Sequence, residues 1–256
     1  MQNAALHACH IDGEYELREL QPAQLPGFLQ ELRAGHYLGC NVTKPYKAAL
    51  AAACDRLDGD ADVLGVVNTI VVEAGRLIGD NTDADGFELA LSVEELWPRP
   101  GCRAIVFGAG GAAAAVALAL SRVPASRIAV CARRPEAAQE LAARLGNVAT
   151  LEALPWDRVA LRPELERADI VVNATPVGLA DLPFSPQDLW ISCTVADVRN
   201  RPRPVDLVEA ARQSGHRASD GLEMLLQQGM LSFTRWTGCT PPWREVRSAL
   251  MAAVDG

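Results

Sequence analysis

Residues 103–120 read "RAIVFGAGGAAAAVALAL", and no other stretch restricts the possible folds as tightly. The run is a little short for a membrane span, and a glycine cluster interrupts it. A strand over 103–107, a glycine turn and a helix account for it better. Gly108-x-Gly110-x-x-Ala113 fits the fingerprint of a dinucleotide-binding turn. Glycines let a backbone come close to a pyrophosphate, and the N-terminus of the following helix stabilises its charge. The competing reading is a glycine turn that only packs. The strand–turn–helix setting favours a nucleotide cradle made of Gly108, Ala109, Gly110, Gly111, Ala112 and Ala113.

The surroundings of that turn repeat the same unit. Strands are expected at 103–107, 127–131, 169–173, 193–197 and 216–219, with helical segments between most of them. This alternation predicts an α/β fold with a parallel sheet covered by helices on both faces. The first half reads differently. Residues 1–10 look helical, 15–20 (YELREL) alternate like a strand, and 22–34 have helical periodicity. Residues 37–42 read as a buried strand, and Pro45 suits the first turn of a helix running through "YKAALAAA". Residues 66–83 read as two strands joined at Glu73-Ala74-Gly75, followed by a helix capped by Thr82 or Asp83. Boundaries are expected near Asp83 and Asp220. They separate a first domain at 1–83, completed by helices from 221–256, from a doubly wound Rossmann domain at 84–220.

The choice of nucleotide turns on the end of the second strand. An acid there would bind the ribose hydroxyls of NAD. Here "RIAVC" is followed by Ala132-Arg133-Arg134. Two guanidinium forks suit a 2′-phosphate, so NADP is favoured, with solvated turn arginines as the alternative.

The totals exclude several classes. A formal charge of −8 over 256 residues argues against nucleic acid or an anionic membrane as partner. The seven cysteines form no C-x-x-C pair and are odd in number, so scattered thiols in a reducing cytoplasm are expected rather than disulfides. His7, Cys9 and His10 lie close together, but no second ligand cluster follows, and no metal is expected. No secretory signal is visible, which leaves the Asn41-Val42-Thr43 sequon idle.

Polar clusters sit at expected strand ends: Asn41-Val42-Thr43, Val67-Asn68-Thr69 and Gly79 to Asp83. Each reads singly as a turn or cap, and jointly they suggest a ligand site. With "NVTKPYK", "GVVNT", "GDNTDADG", "GAGGA", "NATPVG" and "DGLEMLLQQ" in this order, the chain resembles the shikimate dehydrogenase family over nearly its whole length. That resemblance implies a substrate domain, a Rossmann domain, and NADPH-dependent reduction of 3-dehydroshikimate to shikimate. It implies Lys47 and Asp83 as the catalytic pair. Thr43, Asn68, Gln228 and the neighbourhood of Asn200 would meet substrate. Gly108 to Ala113, Arg133, Arg134, Asn173, Thr175 and Gly221 would meet cofactor. A Lys ammonium beside a ketone stabilises the developing alkoxide and supplies the proton, and amide and hydroxyl side chains suit a polyol carboxylate. The partner implied is a small molecule, with the protein a monomer or homodimer.

The chain departs from the family pattern in places. "MQNAAL" resembles the segment after the family's first strand and S-x-S loop, so that strand and its two serines are expected to be missing. Asn200 stands where the family usually has a Tyr, and "ARR" at 132–134 replaces Asn-Arg-Thr. The alternatives are a quinate or other cyclic polyol dehydrogenase, or a nucleotide-binding protein without catalysis.

Overall fold

The computed structural model describes residues 1–124 and 126–255. They divide into two compact units, one formed by Met1–Thr82 with Leu226–Gly256 and the other by Asp83–Leu225.

The first unit contains α1 (Gln2–Ala8), α2 (Leu25–Arg33), β1 (Gly39–Asn41), α3 (Lys47–Ala53), β2 (Arg56–Leu57), α4 (Asp60–Leu64), β3 (Thr69–Glu73) and β4 (Arg76–Asp80). Its four-stranded sheet has the order β1-β3-β4-β2. β3 and β4 form an antiparallel hairpin whose two-residue turn, Ala74-Gly75, has positive φ at both positions. That turn matches the right-handed twist of the strands. β1 joins the far side of β3 with Cys40 opposite Ile70. A Cβ on Gly39 would fall 2.1 Å from the Ile70 carbonyl oxygen and 2.5 Å from Trp236 Nε1. The indole donates to that same carbonyl at 2.9 Å, so the strand approaches closely only because residue 39 is glycine. Leu32, Leu50, Ala61, Val67, Ile70 and Leu77 form the core of this unit.

The second unit contains α5 (Asp83–Val93), β5 (Arg103–Phe107), α6 (Gly111–Ser121), β6 (Arg127–Cys131), α7 (Pro135–Leu145), β7 (Leu151–Leu154), α8 (Arg158–Leu165), β8 (Ile170–Asn173), β9 (Thr194–Asp197), α9 (Asp206–Gln213) and β10 (Ala218–Ser219). Its six strands lie in the order β10-β9-β8-β5-β6-β7, and every pair is parallel. This is the doubly wound order, whose direction reverses between β5 and β8. Ile105, Phe107, Val171 and Val195 on one face pack with Leu161, Leu165 and Leu207. Ala104, Val106, Val130 and Val172 alternate with them and are also buried. The strands therefore read as continuous apolar runs, as a sheet covered on both sides requires. Finally α10 (Gly221–Thr237) gives its first turn to this unit and the rest to the first, which α11 (Trp243–Asp255) then completes.

Three sequence expectations need correction. Residues 15–20 form no strand. The Asn3 side chain holds both backbone groups of Tyr15, accepting from its N–H and donating to its carbonyl. Leu17 points into solvent, so the alternation has no buried face. Pro45 lies before the helix rather than in its first turn. Tyr46 N–H donates to the Thr43 carbonyl and closes a turn over 43–46, so α3 starts at Lys47. β7 was not anticipated, because "LEAL" is short, lacks β-branched residues and lies at the sheet edge with its middle exposed.

Candidate active site

In the first unit the backbone gathers the implied substrate residues around Asn68. Val42 N–H donates to the Asn68 carbonyl at 2.7 Å, and Val67 N–H donates to the Lys47 carbonyl at 3.1 Å. These bonds bring the end of β1, which leads to Thr43, and the first residue of α3, which is Lys47, alongside residues 67–68. Thr43 is exposed and Lys47 half-buried. Lys44, by contrast, is exposed on the intervening turn.

The Asn68 side chain is buried and fully engaged. Its Oδ1 accepts from Thr82 N–H at 2.9 Å and from the Thr69 hydroxyl at 2.8 Å. Its Nδ2 donates to Thr82 Oγ1 at 2.9 Å and to Gln228 Oε1 at 3.2 Å. This last bond, together with Thr82 donating to the Gln228 carbonyl at 3.0 Å, brings α10 into the cluster. Asp83, buried at the start of α5, follows Thr82 directly in the chain.

Ser232, one helical turn after Gln228, is the hub that sequence reasoning missed. Its hydroxyl lies 2.7 Å from Thr69 Oγ1 and 3.3 Å from Thr82 Oγ1, and accepts from Asn41 Nδ2 at 3.0 Å. It is fully buried. The only sequence signal was its i+4 spacing from Gln228, which places both on one helix face. Buried polar groups linked in this way fix one another's orientation.

In the second unit the glycine turn sits at the reversal point of the sheet. Gly108 has φ +118°, and a Cβ there would lie 2.9 Å from the Ala174 carbonyl oxygen. Packing within the protein thus explains that glycine. Gly110 and Gly111 differ. A Cβ at either would meet no heavy atom within 4 Å, and the φ of −85° at Gly110 suits any residue. No protein atom requires glycine there, and the space beside both positions is open. No side chain caps α6 at Gly110, which leaves its first N–H groups for an anion. These observations fit a dinucleotide pyrophosphate. Ala109 and Ala112 lie half-buried beside the turn, and Ala113 is buried under it. Arg133 and Arg134 are exposed just past the end of β6.

Asn173 ends β8 and is completely buried. Its Oδ1 accepts from the Thr175 hydroxyl at 2.6 Å and Thr175 N–H at 3.1 Å, while its Nδ2 donates to Asp197 at 2.9 Å. Asp197, not anticipated, ends β9 in register with Asn173. A detectable signal was shared by both strands: an apolar run closed by one polar residue at its C-terminal end. Burial pushes the Asp197 carboxyl up against the opposing pull of Arg199. Asn200 is half-buried three residues beyond the end of β9. Gly221 has a packing explanation of its own, because a Cβ there would lie 2.1 Å from the Val198 carbonyl oxygen. Among the described residues no group of three or more His, Cys, Asp or Glu could hold a metal, and no helix is long and apolar enough to cross a membrane.

The doubly wound sheet with its glycine turn, joined to a unit bearing a buried amide–hydroxyl cluster, defines a two-unit α/β protein of the dinucleotide-binding class. Family models agree with the chain along its length. Residues 1–70 match the shikimate dehydrogenase substrate binding domain, 91–179 match shikimate / quinate 5-dehydrogenase, and 221–251 match the shikimate 5'-dehydrogenase C-terminal domain. A Rubrobacter xylanophilus protein named shikimate dehydrogenase (NADP(+)) is 40% identical, over 98% of this chain and 89% of its own. The structure of shikimate 5-dehydrogenase from Thermus thermophilus, in complex with NADP(H) and shikimate, superposes with a TM-score of 0.85 at 34% identity, over 98% of this chain and 92% of that one. Quinate dehydrogenase from Corynebacterium glutamicum, in complex with NAD, gives a TM-score of 0.89 at 29% identity, over 98% of this chain and 92% of that one. The chain belongs to the shikimate dehydrogenase family.

Proposed function

We propose that the protein is an NADP-dependent shikimate dehydrogenase that interconverts 3-dehydroshikimate and NADPH with shikimate and NADP⁺. The observation that carries this reading is the chain-long relationship to NADP-dependent shikimate dehydrogenases, at 40% identity over 98% of the chain. The first unit takes the substrate and the second takes NADP. When bound, the nicotinamide supplies the hydride that reduces the ketone. Everything else falls to the protein.

The Lys47 ammonium stabilises the oxygen as negative charge develops and delivers its proton. Asp83 is the acid that the family resemblance pairs with this lysine. Thr43 and Gln228 offer donors and acceptors to the hydroxyls and carboxylate, Asn68 acts on that surface by orienting Gln228 through the bond from its Nδ2, and Asn200 contributes a further polar group. Asn68 and Gln228 are already bonded to each other at 3.2 Å, so this recognition surface is set before substrate arrives. The N-terminus of α6 holds the pyrophosphate, Asn173 and Thr175 shape the adjoining loop, and the Arg133 and Arg134 forks hold the 2′-phosphate. The enzyme works in the cytoplasm as a monomer or homodimer.

The test is NADP⁺ reduction with shikimate and with quinate, each repeated with NAD⁺. Turnover of shikimate with NADP⁺ is expected to be the fastest combination. Retained NADP⁺ binding with no turnover of either acid would sink the dehydrogenase reading. Lys47→Ala should lower kcat about a hundredfold or more while leaving NADP⁺ affinity alone. Unchanged turnover removes Lys47 from the chemistry.

A further inference from the structure

The loop that follows β8, residues 174–178, lies against the glycine turn. Ala174 N–H donates to the Phe107 carbonyl at 2.8 Å, and the Ala174 carbonyl and the Thr175 methyl crowd the position a Gly108 Cβ would take. Both ends of this loop are tied to carboxylates. At its start, Asn173 Nδ2 donates to Asp197 at 2.9 Å. At its end, Leu179 N–H donates to Asp206 Oδ2 at 2.7 Å. One side chain joins those carboxylates. Arg199 Nε lies 3.1 Å from each Asp197 oxygen, and Nη2 donates at 2.6 Å both to Asp197 Oδ2 and to Asp206 Oδ1.

The two ends of the clamp differ in kind. The Asp197 side chain has no exposure and Arg199 only 13%, whereas the Asp206 side chain is 50% exposed. The inner ion pair is largely shielded from water. The outer one is a tether at the surface. Backbone bonds hold Arg199 itself in place, since its N–H donates to Asp197 Oδ1 and its carbonyl accepts from Gly221 N–H at the start of α10. Gly178 adds a steric key, because a Cβ there would fall 2.6 Å from Asp206 Oδ2. Movement of the loop away from the glycine turn strains the Asn173–Asp197 and Leu179–Asp206 bonds, and Arg199 holds both of those carboxylates in place.

We propose that Arg199 is a positioning residue for the cofactor: through Asp197 and Asp206 it fixes both ends of the loop 174–178 and so sets the slot between that loop and the glycine turn. The inference rests on the reading of this turn as the NADP site, and it adds a residue that never needs to touch the nucleotide. Arg199 works through its fork. A lysine in its place keeps the charge but cannot reach both oxygens of Asp197 and also Asp206 in one plane.

The test uses the full chain with NADP⁺ titrated calorimetrically and initial rates measured with shikimate. Arg199→Lys should weaken NADP⁺ binding about tenfold, and Asp206→Asn, which cuts only the outer tether, about threefold. The KM for shikimate should stay within about twofold of the parent, because the loop belongs to the unit that holds the nucleotide. Unchanged NADP⁺ affinity in a variant that melts like the parent overturns the proposal. So does a parallel loss of cofactor affinity, shikimate KM and melting temperature, which marks a merely structural role. If Arg199→Lys fails to fold, Asp206→Asn decides alone. A parent that binds NADP⁺ without oxidising shikimate refutes the proposed activity but leaves this inference to be judged on NADP⁺ affinity. A parent that does not bind NADP⁺ refutes both.

Discussion

The glycine turn allows the demands of the protein to be separated from those of its ligand. Consider Gly108→Ala beside Gly110→Ala. At Gly108 the new methyl must be accommodated at φ +118°, a region that costs an L-residue about 1–3 kcal/mol. It would also sit 2.9 Å from the Ala174 oxygen and 3.2 Å from both the Ala174 carbonyl carbon and Thr175 Cγ2. That carbonyl cannot swing aside, because the peptide is anchored at Phe107 and the loop is clamped at both ends. Overpacking of this kind costs about 1–3 kcal/mol more. The expected loss is about 2–6 kcal/mol before any ligand is added, equivalent to about 4–24 °C in Tm. At Gly110 the methyl enters open space at an ordinary φ, and the cost is the N-cap preference for Gly over Ala, about 1 kcal/mol or less. NADP⁺ affinity should nevertheless fall about tenfold or more, because a phosphate approaching the α6 N-terminus meets that methyl. Urea unfolding of the ligand-free variants and calorimetric titration with NADP⁺ measure the two quantities. A Gly110→Ala protein that binds NADP⁺ like the parent, or a Gly108→Ala protein as stable as the parent, refutes the reasoning.

Other expectations follow from the same kind of argument. Ser232→Ala leaves Asn41 and the buried Thr69 and Thr82 each short of a partner, and should cost about 1–3 kcal/mol by urea midpoint at unchanged m. Replacing Arg133 and Arg134 together by Ala should weaken NADP⁺ about tenfold while leaving NAD⁺ nearly untouched, so the ratio of the two affinities is the readout. Cys9 Sγ lies 2.9 Å from Cys239 Sγ, and the Cys9 proton shared with that sulfur, with burial second, holds the Cys9 thiol up at about 11. Iodoacetamide at pH 8 should therefore alkylate Cys9 about tenfold or more slowly than an unperturbed thiol, and Cys239→Ser should raise its rate. Equal rates in the parent and the variant count against a shared proton.

What the sequence displayed and what it concealed can be separated by range. The central Rossmann strands β5, β6, β8 and β9 were legible because each is a largely apolar, buried run, a signal carried within five residues. The glycine turn was legible because its geometry is local. β7 was not, since an edge strand with an exposed middle has no apolar run to display. Residues 15–20 were misread because their alternation matches a strand while their backbone is satisfied by Asn3, a partner no periodicity reveals. Among site residues, Asn68 and Gln228 came from motif resemblance, and the structure joins them directly. Ser232, Asp197 and Arg199 escaped notice because their roles exist only through partners on other elements.

The first unit has a history as well as a shape. Asn41 and Ser232 are separated by 191 residues, Thr69 and Ser232 by 163, and Gln2 and Gly229 by 227. Every such bond must wait until α10 has been synthesised. The second unit is one uninterrupted stretch, Asp83–Leu225, and all its strands are available earlier. On a ribosome the nucleotide-binding sheet can therefore close while the segment bearing Lys47 is still without its last helices. The part of the chain made first is the part finished last, and for that interval its amides and hydroxyls depend on water for partners that the end of the chain has yet to bring.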